Sequence, residues 1–80
     1  MYPDLNTCDL HLSAYLMAKG CTLKNSIRDQ QTQRVYFTVG SEEFDPHNLR
    51  VEYFSGQGQV SALKFSNNLK SLKSLCHSIL

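Results

Sequence analysis

The stretch SALKFSNNLKSLKSLCHSIL, residues 61–80, carries the clearest periodicity in the chain. Its apolar residues Ala62, Phe65, Leu69, Leu72, Cys76 and Ile79 recur at spacings of 3, 4, 3, 4 and 3. That is the repeat of one face of an α-helix, and Ser61 in front of it supplies a capping hydroxyl. A single stripe of this length must lie on something. It packs either on the rest of the domain or on its own copy in a coiled-coil-like seam.

Moving toward the N-terminus, Asp45-Pro46 reads as a helix start, with the aspartate as cap and the proline at the first helical position. Leu49, Tyr53 and Phe54 supply its inner face, and Gly56 stops it. Gly56 and Gly58 then make QGQ a mobile link to the last helix. Further back, CTLKNSI (21–27) and RVYFTV (34–39) alternate apolar and polar residues and enclose a polar loop. Cys21, Leu23 and Ile27 on one strand and Val35, Phe37 and Val39 on the other form a core face, while Tyr36 points away. These two strands read as an antiparallel hairpin.

The first element begins at Thr7 as cap, with Asp9 in the first turn, and ends at Gly20. Cys8, Leu12, Tyr15 and Leu16 share one side of this helix, and Leu10, Ala14 and Met17 lie opposite. A helix apolar on two sides is central in its domain or pressed on a second subunit. With so little chain to cover it, the expectation is a homodimer through Leu10, Ala14 and Met17. The fold class is therefore α+β: a helix, a two-stranded antiparallel hairpin, then two helices, in one domain spanning residues 1–80.

Eighty residues bury one modest core. Hydrophobic content of 41% and charged content of 19% suit a folded chain. A net charge of +1 gives no bulk attraction for nucleic acid, so any basic patch must come from arrangement. No apolar run is long enough to span a membrane, and MYPDLNT is too polar for a signal peptide. The expected location is the cytoplasm. The three cysteines, Cys8, Cys21 and Cys76, have no paired spacing and read as reduced, mostly core thiols.

The segments TCDLHLSAYLMAKG, RVYFTV and VSALKFSNNLKSLKSL together resemble a family of small domains of unknown function found in bacteria and their phages. Its members open with a Thr-Ser-Asp-like cap and a Leu/Ala-rich helix with a Lys-Gly stop, and close on a Leu-Lys-Ser-Leu-like helix. The resemblance runs from about Thr7 to Leu75, with Cys8 in place of the usual small polar residue. It implies this architecture and no catalytic residue.

Chemistry-bearing residues fall into four groups. Cys8 with His11, and Cys76 with His77, offer metal-ligand types, but neither pair has zinc-finger or ribbon spacing, and no metal is expected. The three histidines, His11, His47 and His77, stand without a nucleophile elbow, a phosphate loop or paired carboxylates. Neither enzymatic activity nor a cofactor is expected. Lys70, Lys73 and His77 fall at i, i+3 and i+7 on the last helix, a flank about 10 Å long. Such a flank meets successive phosphates of a nucleic acid, with Arg28 and Arg34 extending it from the hairpin; alternatively it only solvates the helix. Finally Tyr36, Leu63 and the Leu10, Ala14 and Met17 side of the first helix are candidates for a protein partner, including a phage-type inhibitory contact. The expected function is a small non-enzymatic binding or regulatory module.

Overall fold

Strand order is set by Val35–Gly40, which lies between two other strands and hydrogen-bonds to both. In the computed structural model, which describes residues 2–79, the elements are β1 (Leu5–Thr7), α1 (Leu10–Ala18), β2 (Thr22–Arg28), β3 (Val35–Gly40), α2 (Pro46–Ser55) and α3 (Ala62–Ile79). The sheet has the order β1-β3-β2, with both pairings antiparallel. Thus β1 and β2 run parallel on either side of β3, and α1 is the crossover that joins them. The class is α+β. The expected two-stranded hairpin is β2–β3, and β1 is a third strand placed against it, with Leu5 opposite Val39 and Thr7 opposite Phe37.

Short β1 takes Thr7 out of the helix. Asp9 is the actual N-cap of α1: its carboxylate accepts from the Leu12 amide at 3.0 Å, while Thr7 Oγ1 accepts from the Asp9 amide at 3.0 Å. Asp45 caps α2 through the His47 amide at 3.0 Å, with Pro46 in the first turn. Gly56 ends α2 in the left-handed region at φ 79°, where a side chain would be strained. Ser61 Oγ accepts from the Lys64 amide at the start of α3.

Both sides of α1 are used inside the chain. Leu12, Tyr15 and Leu16 pack with Leu5, Cys21, Val39 and Leu49. Ala14, fully buried, packs with Phe37 and Leu72, and half-buried Leu10 and Met17 join them beside Leu69 and Leu75 of α3. The helix is therefore the central element. Leu10, Ala14 and Met17 do not form an open face, so the premise that a second subunit must cover them falls away.

Three other expectations change. Ile27 was expected on the core face, yet it is 57% exposed. The register explains this: Leu23 pairs with Val39 but Asn25 pairs with Thr38, so Lys24 is an extra residue in a β-bulge. One inserted residue moves every later side chain to the opposite face, placing Ile27 beside Tyr36 on the outside. Phe54, expected on the inner face of α2, is 66% exposed. Its ring meets Tyr53 edge-on at 5.1 Å, and Tyr53 in turn meets Tyr15.

The third change concerns Gly58, expected in a mobile link. A Cβ there would run into the Tyr15 phenol, so the glycine is a point of close contact between the α2–α3 connection and α1. Lys19 Nζ fastens the same connection through the Gln59 carbonyl at 3.2 Å. Among the described residues, no helix is long and apolar enough to cross a membrane.

Candidate functional site

The helices cover one face of the sheet, leaving three surfaces for function: the outer side of α3, the open sheet face, and a groove at one end. On α3 the apolar stripe turns inward, with Leu72 buried and Phe65, Leu69, Leu75 and Cys76 packed around it. This orientation sends Lys70, Lys73 and His77 outward, and all three are exposed. Leu63, also on the outer side, is 69% exposed. No aspartate or glutamate occurs after Glu52, whereas Lys64, Lys70 and Lys73 all do. The α3 surface therefore combines cations with serine and asparagine and has no acid of its own. His77 lies in the last turn of the helix.

The two arginines do not simply extend this flank. Arg28 pairs with Val35 at the end of the hairpin on the core side of the sheet, half-buried, with its Nε enclosed and lacking a hydrogen-bond partner. Arg34 is exposed, and its guanidinium Nη1 lies 4.0 Å from Cys8 Sγ. Among the described residues the one ion pair is Lys24–Asp4 at 3.0 Å, at the opposite end of β2 from Arg28.

Tyr36 does lie on the outer sheet face, as its position in the alternation implies. With Asn6, Ile27, Asp29 and Thr38 it lines a shallow depression of about 230 Å³. The sequence pattern concealed Ile27 as a member of this surface; only the bulge reveals it.

Thiols occupy three different environments. Cys21 is buried, and burial pushes its thiol up from the ordinary value. Cys76 is half-buried and shifted the same way for the same reason. Cys8, expected in the core, is exposed, because β1 ends at Thr7 and α1 starts at Leu10, leaving it in the joint between them. No three histidine, cysteine, aspartate or glutamate side chains come together as a metal-binding group among the described residues. No protein-family model, curated protein or solved structure matches the chain.

Proposed function

We propose that the domain is a non-catalytic, cytoplasmic binding module whose α3 flank holds the phosphate backbone of a nucleic acid. The observation that carries this reading is the one-signed surface of α3. Lys70, Lys73 and His77 stand on its solvent side, and no acidic residue follows Glu52 to neutralise them. Backbone contacts of this kind position a nucleic acid without reading bases, so binding is weak, sequence-independent and salt-sensitive. Arg28 is set aside because it lies on the core side of the sheet. A mobility-shift titration with single- and double-stranded probes tests the reading. Lys70→Gln combined with Lys73→Gln abolishes the low-salt shift while unfolding at the wild-type temperature; an unchanged shift would remove the proposal.

A second reading has its own support. Ile27 at 57% exposure beside Tyr36 makes an apolar spot on a sheet face that no helix covers, and Leu63 makes another on α3. A protein partner held there loses affinity on Tyr36→Ala or Leu63→Ala and responds little to salt. An inhibitory contact of phage type is a variant of this reading, resting on the family resemblance alone.

A further inference from the structure

Where β3 begins, α1 begins and α3 nears its end, the chain leaves an open groove of about 400 Å³. Its lining is Cys8, Leu10, Gln33, Arg34, Val35, Phe37 and Cys76. The size falls within the range of small-molecule sites, and the composition is the usual one of an apolar wall with few polar groups. Half-buried Leu10 and Val35 supply the wall, with buried Phe37 at its base, and the two thiols add soft, weakly polar surface.

Arg34 is the one charged residue in this lining. Arg34 ends a tight loop in which the Asp29 amide donates to the Arg34 carbonyl at 2.7 Å and the Gln33 amide donates to the Asp29 carbonyl at 2.8 Å. Gln33 completes that loop at φ 63°, a left-handed conformation that costs a non-glycine residue energy. The guanidinium then reaches over the groove to within 4.0 Å of Cys8 Sγ, a weak acceptor that satisfies little of its five-donor fork. No carboxylate among the described residues pairs with it.

We propose that this groove binds a small organic anion, with an apolar body against Leu10, Val35 and Phe37 and a carboxylate or similar head on Arg34. Charge complementarity selects the class. An uncharged apolar molecule leaves the guanidinium unanswered, and an inorganic anion leaves the apolar wall wet. This site does not depend on the α3 flank, since none of Lys70, Lys73 and His77 is in the groove lining.

Decanoate, below the concentration at which it forms micelles, is a direct probe, and 1-decanol is its uncharged twin. Amide resonances of Leu10, Val35 and Phe37 shift saturably with decanoate, and decanol binds roughly fivefold more weakly or worse. Arg34→Gln, a change at an exposed position, lowers decanoate affinity by a similar factor and leaves decanol binding unchanged. Arg34→Lys retains part of the preference. Equal binding of acid and alcohol, equal affinity in Arg34→Gln, or shifts centred on Val51 and Phe54 instead of the groove would each overturn the proposal.

Discussion

Removing one oxygen atom from Tyr15 should make the protein more stable. The side chain is 3% exposed, and its hydroxyl has no hydrogen-bond partner in the structure. A buried hydroxyl left unpaired costs about 1–3 kcal/mol of desolvation. Tyr15→Phe removes that cost, but it also leaves a gap of one oxygen against Gly58, where the phenol and the backbone meet closely. A small void forfeits some contact energy. The expected balance is a gain of about 1 kcal/mol, or roughly 4–8 °C in melting temperature for a domain of this size. Burial first, and the nearby Glu52 carboxylate second, raise the Tyr15 phenol above its ordinary 10.0. The folded chain thus keeps this proton after the unfolded chain has begun to lose it. The stabilisation is complete below pH 10 and drains away as pH rises through the higher folded value. Wild type should therefore lose stability above pH 10 faster than Tyr15→Phe does. Thermal unfolding followed by circular dichroism at neutral pH and above pH 10 measures both effects. A loss of 1 kcal/mol or more in the variant at neutral pH would show that the hydroxyl has a partner and refute the reasoning.

Gly58→Ala, which drives a methyl into the Tyr15 ring, should cost about 1–3 kcal/mol in chemical denaturation, against a few tenths if the connection were loose. Leu72→Ala, at the buried contact of α3 with Ala14 and Phe37, should cost about 2–5 kcal/mol. Its unfolding midpoint, like that of wild type, should not move with protein concentration if α1 is covered within one chain. A thiol reagent should label Cys8 rapidly in the native protein and reach Cys21 only on unfolding, with half-buried Cys76 in between. Asp45→Ala should cost about 0.5–2 kcal/mol by releasing the cap of α2.

Much of the architecture was legible because local signals agreed with one another. Asp45-Pro46, Gly20, Gly56 and the 3-4 repeat of α3 each mark an element by its own chemistry, and those elements appear where the residues put them. What escaped was non-local. The Leu5–Thr7 strand is too short to alternate visibly and exists only because β3 offers it a partner. The Lys24 bulge has no signature in CTLKNSI, since a period-two pattern does not announce an inserted residue, and alternation alone puts Ile27 on the core face. Gly58 looked like flexibility because its reason is a phenol forty-three positions earlier in the chain. The flank of Lys70, Lys73 and His77 was readable from helical spacing alone. The groove at Arg34 was not, because it joins residues from the two ends and the middle of the chain.

The most direct test of function is the salt dependence of nucleic-acid binding. For a duplex, each phosphate neutralised contributes about −0.9 to the slope of log affinity against log salt. The two lysines of the α3 flank, Lys70 and Lys73, give a slope near −1.8, and replacing both by glutamine should remove the binding itself. A wild-type slope near zero, or the same slope in both proteins, would contradict the assignment of α3 as a phosphate-binding surface.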